Sequence, residues 1–241
     1  MKYLISFLTL CLLAACDYAN AWTPLTTDKM HIQYAGTLNM ATTSNVYNVD
    51  LEDTTKAKIT TLKNSGKAVI CYFSAGSSED WRSDFSKFPA SVKGNRLDGW
   101  DGENWLDVRQ LNVLMPIMKA RMDLAVSKGC DAIDPDNVDG YTNNTGFPLT
   151  YSHQLAYNIA LANAAHARGL KISLKNNMDQ VPDLINYSDF AVNEQCFQYN
   201  ECNTLNPFIT AGKPVFNIEY QGEITTLCSK AKKLGLSLIH I

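Results

Sequence analysis

The chain has 241 residues, 46% of them apolar, and a formal net charge of -3. That is enough to bury one large core, and single α/β barrels run to this size without splitting. No long basic or acidic run is present, so nothing points to nucleic acid or to an anionic lipid surface as a partner.

The N-terminal stretch MKYLISFLTLCLLAAC carries Lys2, an apolar run from Tyr3 to Leu13, and the small residues Ala14 and Ala15 before Cys16. The run is too short to cross a bilayer and reads as an export signal. Leu13-Ala14-Ala15-Cys16 resembles a bacterial lipobox, which implies that Cys16 becomes a lipidated N-terminus anchoring the exported chain to a membrane, facing the periplasm or the cell surface. An ordinary secretory signal cut nearby is the alternative. On this reading residues 1–15 are the signal, 16–24 a short tether and 25–241 the folded domain.

Setting aside Cys11 and Cys16 leaves Cys71, Cys130, Cys196, Cys202 and Cys228. Export permits disulfides, and an odd count leaves at least one thiol free. Pairing is expected among Cys196, Cys202 and Cys228, which flank the late strands. There is no CxxC pair, and the four histidines are scattered. Neither a metal nor another cofactor is expected.

In chain order, short runs rich in Val and Ile predict strands at HIQYAG from 31, VYNVDLE from 46, KAVICYF from 67, DAIDPD from 131, KISLK from 171, FAVNE from 190, VFNIEY from 215 and LSLIHI from 236. Helical faces fall between them, with Ile117, Arg121, Leu124 and Ala125 on one and Leu155, Ile159 and Ala162 on another. Gly66, Gly129, Gly169, Gly212 and Gly235 each stand just before an apolar run, where a helix stops by turning left-handed. Eight strands alternating with helices predict a single-domain α/β fold, a (β/α)8 TIM-type barrel. No Gly-rich phosphate loop follows the first strand, which disfavours a nucleotide-binding sheet. A connection of about 35 residues, from Ser77 to Gln110, separates the third and fourth strands, and loops that long in a compact domain are usually functional.

The active site of such a barrel lies at the C-terminal ends of its strands. Those ends carry Gln33 and Tyr34, Asp50 and Glu52, Tyr72 and Ser74, Asp134 and Asp136, Lys175 and Asn176, Asn193 and Glu194, Glu219 and Tyr220. Alternation along a strand gives Asp134 and Asp136 one orientation, and likewise Asn217 and Glu219. A calcium loop starting at Asp134 fails, because its fifth, sixth and twelfth positions are Val138, Asp139 and Thr145. A Ser or Cys nucleophile is poorly supported, since GxSxG is absent and only His240 among the histidines falls at a strand end. Carboxylate chemistry remains, and paired carboxylates suit glycoside hydrolysis. Trp81, Trp100 and Trp105 in the long connection, with Tyr72, Tyr141 and Tyr220, supply aromatic faces for sugar rings or for packing.

The segments YNVDLEDT, ICYFSAGSSEDWRSD, GWDGENWLDVR, MKARMDLAVSKGCDAIDPDNVDGYTNNTGF, AHARGLKISLKN, NEQCFQYNEC and KPVFNIEY together resemble glycoside hydrolase family 114, the endo-α-1,4-polygalactosaminidases. The resemblance implies a TIM-type barrel that hydrolyses α-1,4-linked galactosamine or N-acetylgalactosamine exopolysaccharides of biofilms. By motif, Asp136 would be the nucleophile and Glu194 the acid/base of a retaining mechanism, with the two carboxyl groups about 5 Å apart. Asp50, Tyr72, Trp105, Asn137, Asp139, Lys175, Glu219 and Tyr220 would line substrate subsites, with Lys175 offsetting the charge of Asp136. An acidic mouth would attract a partly de-acetylated, cationic polymer. A monomer is expected. A carbohydrate-binding lipoprotein without catalysis, or a glycosidase for another α-linked polysaccharide, stands as the alternative. The sequence ends at LSLIHI, where a family member is expected to continue into a closing helix.

Overall fold

A computed structural model describes residues 22–241. The signal, Cys16 and most of the tether lie outside the described residues. Eleven strands and six α-helices follow in order: β1 (Met30–Gln33), β2 (Val46–Asp50), α1 (Lys56–Asn64), β3 (Ala68–Ser74), β4 (Ser77–Glu79), β5 (Lys93–Arg96), β6 (Glu103–Leu106), α2 (Leu111–Lys128), β7 (Ala132–Asp136), α3 (Tyr151–His166), β8 (Lys171–Lys175), α4 (Val181–Leu184), β9 (Phe190–Glu194), α5 (Asn206–Thr210), β10 (Val215–Glu219), α6 (Ile224–Leu234) and β11 (Ser237–His240).

Eight parallel strands pair in the order β1-β2-β3-β7-β8-β9-β10-β11. They coincide with the eight predicted runs. β11 returns beside β1, and Ser237 Oγ donates to the Asp28 carbonyl at 2.9 Å, so the sheet curls into a nearly closed (β/α)8 barrel. The five punctuating glycines are all left-handed. Gly129, at φ 91°, ends α2 by donating its N–H to the carbonyls of Ala125 and Val126, then releases the chain into β7.

Two apolar layers result from strand alternation. Outward side chains such as Tyr47, Val49, Val69, Phe73 and Ile133 pack under α1, α2 and α3. Inward ones, including Val46, Ile70, Ala132, Phe190, Val192, Phe216 and Ile218, plug the barrel. On α2, Ile117, Arg121 and Ala125 are buried as predicted, whereas Leu124 faces solvent. No helix among the described residues is long and apolar enough to cross a membrane.

The long connection folds. β4, β6 and β5 form an antiparallel sheet leaning over one rim, with Ser77 opposite Trp105 and Glu79 opposite Glu103. Gly76 leads into it with its backbone against β7: its N–H reaches the Asp136 carbonyl at 3.0 Å, and a Cβ there would fall 1.6 Å from the Asn137 carbonyl oxygen. Any side chain at Gly76 would push the aspartate strand out of place.

Two disulfides tie the frame, Cys71–Cys130 and Cys196–Cys202, while Cys228 is an exposed free thiol. One bridge thus falls within the expected trio. The other joins β3 to the residue two before β7, a contact made only when those strands pair.

Candidate active site

Strand parity decides what faces the mouth. Above the apolar plug, the inward positions are Asn48, Tyr72, Asp134, Asp136, Ser173, Lys175 and Glu194. Asp134, fully buried, accepts from Asn48 Nδ2 at 2.7 Å, from the Tyr34 hydroxyl at 3.2 Å and from the Ser173 hydroxyl. Burial raises its carboxyl above the ordinary range, against the opposing pull of Lys175.

One turn higher, Asp136 is partly exposed. Its Oδ2 accepts from the Tyr72 hydroxyl at 3.0 Å, and its Oδ1 accepts the Asn137 N–H at 2.9 Å. Tyr72 is fixed by stacking on Tyr34 with ring centroids 4.0 Å apart. Lys175, 3% exposed, places Nζ 3.4 Å from Asp136 Oδ1 and 3.3 Å from Glu194 Oε2. These two carboxylate oxygens are therefore less than about 7 Å apart, a separation at which two carboxylates can act on one glycosidic bond. Burial works against the Lys175 ammonium, but the charges of Asp136, Glu194 and Asp134 outweigh it and hold the group protonated.

Glu194 is clamped from two sides. The Tyr220 hydroxyl donates to Oε1, Asn176 Nδ2 donates to Oε2 at 3.1 Å, and the Glu194 N–H donates to Asn176 Oδ1 at 2.8 Å. Burial pushes this carboxyl up, yet Lys175 and the bonds from Tyr220 and Asn176 hold it below the usual range. Each functional strand then turns at once: Asn137 (φ 60°), Asn176 (φ 48°) and Gln195 (φ 65°) are left-handed immediately after Asp136, Lys175 and Glu194. Non-glycine residues adopt that conformation at a cost, and they concentrate at functional sites.

The pair opens into a cleft of about 800 Å³, whose walls include Tyr72, Trp105, Asn137, Asp139, Lys175 and Tyr220 as expected. Trp100, 64% exposed, and the mostly buried Trp105 form an aromatic flank from the folded connection. Burial, reinforced by the Asp136 charge, pushes the Asp139 carboxyl up to about 6.

Two expected lining residues stand elsewhere. Asp50 has the inward parity but accepts the N–H groups of Glu52 and Asp53, each at 2.8 Å, and pairs both oxygens with Arg82 at 3.0 and 2.7 Å. Its carboxylate is consumed in a turn and an ion pair outside the cleft. Glu219 is out of phase: Phe216 and Ile218 belong to the barrel plug, so Glu219 points to the other face. There it accepts the Phe197 N–H at 2.9 Å and an Asn217 amide N–H at 3.1 Å. Trp81 lies outside the cleft walls, and Tyr141 lines an adjoining cavity.

Residues that sequence reading passed over include Glu103, whose Oε2 accepts from Ser77 Oγ at 2.7 Å, in a chain running on to Ser74 and Asn137. Its signal was present, since Glu103 precedes Trp105 by two positions and a strand presents both on one face. Burial, with the Glu79 and Asp136 charges, raises this carboxyl, while the Ser77 bond opposes it.

The family model for glycoside hydrolase family GH114 matches residues 13–240. The chain belongs to family GH114. It is a glycoside hydrolase, and this family fold holds Asp136 and Glu194 together through Lys175. Among solved structures, Aspergillus fumigatus Ega3 in complex with galactosamine is 41% identical, with a TM-score of 0.85 over 93% of this chain and 95% of that one. The glycoside hydrolase domain of Pseudomonas aeruginosa PelA shares the fold at 15% identity, with a TM-score of 0.68 over 88% and 93%. Eubacterium rectale Amy13B does so at 10% identity, with a TM-score of 0.58 over 90% and 66%. No curated protein sequence matches the chain.

Proposed function

We propose that this GH114 hydrolase cleaves α-1,4-linked galactosamine polymers internally, with or without partial N-acetylation, by a retaining two-carboxylate mechanism. The observation that carries the reading is the Lys175 bridge, which keeps the Asp136 and Glu194 oxygens within about 7 Å, a limit that admits the spacing of about 5 Å a retaining pair needs. The 41% identity to a protein crystallised with galactosamine supports the sugar class.

Asp136 bonds to the anomeric carbon as the glycosidic C–O bond breaks, and the Glu194 proton passes to the leaving oxygen. The Tyr72 hydroxyl and Asn137 N–H aim the attacking carboxylate, and Asn176 aims the acid. A substrate oxygen replacing the Tyr220 hydroxyl on Glu194 removes one bond that favours the anion, which helps that carboxyl hold its proton. Once Asp136 is esterified its charge is gone, and Lys175 acts on Glu194 alone. The carboxylate so favoured is the base that takes a proton from water, whose oxygen then displaces Asp136 from the anomeric carbon.

The further reading is an exported enzyme, with Cys16 lipidated, residues 16–24 as tether and 25–241 as the catalytic domain. Two disulfides favour an oxidising compartment. Exopolysaccharide of a biofilm is the substrate such an enzyme would meet. Proton NMR during digestion of galactosamine, N-acetylgalactosamine and other α-linked polymers tests the reaction. Reducing ends first appearing in the α configuration, from galactosamine polymers alone, support it; β ends, or cleavage of only a different polymer, refute it.

A further inference from the structure

Glu103, on β6, is a buried acid in the wall of the main cleft, 5% exposed. Burying a carboxyl is costly unless its oxygens are bonded, and its side-chain partner among the described residues is Ser77, whose Oγ donates to Oε2 at 2.7 Å. The pairing of β4 with β6 sets Ser77 opposite Trp105 and Glu79 opposite Glu103, so Ser77 and Glu103 are diagonal neighbours on one face. Across the turn at Ala75 and Gly76, the Ser77 hydroxyl oxygen lies 2.5 Å from that of Ser74, the last residue of β3. Asn137, which follows the aspartate strand, donates its Nδ2 to Ser74 Oγ at 2.9 Å and to Ser77 Oγ at 3.3 Å. One line of hydrogen bonds thus runs from Glu103 to Asn137, through two serines with no exposed surface.

The acid at one end sets the direction of the whole line. Each hydroxyl has one proton to give. The Glu103 oxygen takes that of Ser77, Ser77 Oγ takes that of Ser74, and both serine oxygens then present lone pairs to Asn137. The amide must meet them with its N–H groups, which turns its Oδ1 away from the serines. The same residue is left-handed at φ 60° and gives its backbone N–H to Asp136 Oδ1 at 2.9 Å. A strained backbone persists only where its surroundings over-determine it, and here the tethered amide does so. Without an acceptor at position 103, the Ser77 proton turns back and competes with the amide for the same lone pairs.

We propose that Glu103 is a positioning residue for the nucleophile: through Ser77 and Ser74 it fixes the Asn137 amide, and so holds the Asn137 N–H on the attacking carboxylate of Asp136. The inference rests on the reading of Asp136 given above. An acceptor oxygen at position 103, rather than its charge, does the positioning.

The test compares wild type with Glu103→Ala, Ser77→Ala, the double alanine variant and Glu103→Gln on an α-1,4-galactosamine oligomer. Each single alanine variant should lose about tenfold in kcat with KM within about twofold. The double variant should fall less than about twofold further, because both changes cut one line. Glu103→Gln keeps an acceptor for Ser77 and should stay within about threefold of wild type. Losses that multiply in the double variant, Glu103→Gln as slow as Glu103→Ala, or no loss at all overturn the proposal. So does a raised KM with unchanged kcat in Glu103→Ala, which would make Glu103 a substrate contact. Amide hydrogen exchange followed by NMR needs no turnover: the Asn137 N–H should exchange about tenfold faster in both single alanine variants, while that of Ile133 in the core of β7 keeps its rate. Equal acceleration at both amides, or none at Asn137, overturns the proposal. If wild type cleaves no polymer, the glycosidase reading fails separately, and the exchange rates still decide the role of Glu103.

Discussion

Replacing Lys175 with methionine removes the one ammonium that Asp136 and Glu194 share. At an effective dielectric near 20, opposite charges at the observed 3.3 and 3.4 Å attract by about 5 kcal/mol per pair. Desolvating the buried ammonium takes back several kcal/mol, leaving on the order of 3 kcal/mol across the pair. That corresponds to about a hundredfold fall in kcat/KM. Without the ammonium Glu194 holds its proton more tightly, so the basic limb of the kcat/KM profile should move to higher pH while the maximum drops. The assay is reducing-end release from galactosamine oligomers across pH 4–8, at a temperature where melting curves show both proteins folded. A variant within about threefold of wild type, with an unmoved basic limb, would refute the claim that Lys175 couples the two carboxylates.

Tyr220→Phe deletes a bond that favours ionised Glu194, so its basic limb should also move up, with a smaller fall in rate than Lys175→Met; a limb moved down in a pH titration would contradict the assignment. Asp139 is raised to about 6 in the fold, so its ionisation works against folding, and stability is lost as pH rises from about 4 to 6. Asp139→Asn should therefore unfold later than wild type at pH 7, by about 1–2 kcal/mol in urea titrations, and no later at pH 3.5. Arg121, buried on α2, holds Asp84 through two 2.8 Å bonds and donates to the Ser74 carbonyl at 2.6 Å. Arg121→Met should cost about 3–5 kcal/mol by denaturant unfolding, because Asp84 is left without its partner. Cys71→Ala with Cys130→Ala opens a bridge spanning 59 residues and should cost up to about 4 kcal/mol by the same measure.

The barrel was legible because strand and helix boundaries are local signals: all eight runs and all five glycine stops stand where periodicity and backbone chemistry place them. Asp136, Lys175 and Glu194 were legible for a related reason, since each is the last inward residue of its strand. Glu219 misled because strand-end position does not carry phase, and only the inward packing of Phe216 and Ile218 reveals that it points away. Asp50 has the right phase, but its partner Arg82 stands 32 residues further on, just past β4. A separation of 59 residues likewise hid Cys71–Cys130, and the three short strands of the connection are too brief and polar to show a period. The adjoining cavity was least legible, because its lining residues Tyr141, Asp179 and Glu201 come from three separate loops with no shared spacing.

The most direct measurement is reducing-end release from a de-acetylated α-1,4-galactosamine polymer by the purified domain, beside Asp136→Asn and Glu194→Gln variants shown to be folded. Wild type should release ends, and each variant should lose at least about a thousandfold, because either substitution removes a group that the bond cleavage requires. No release by folded wild type, or full activity in Asp136→Asn, would contradict the account.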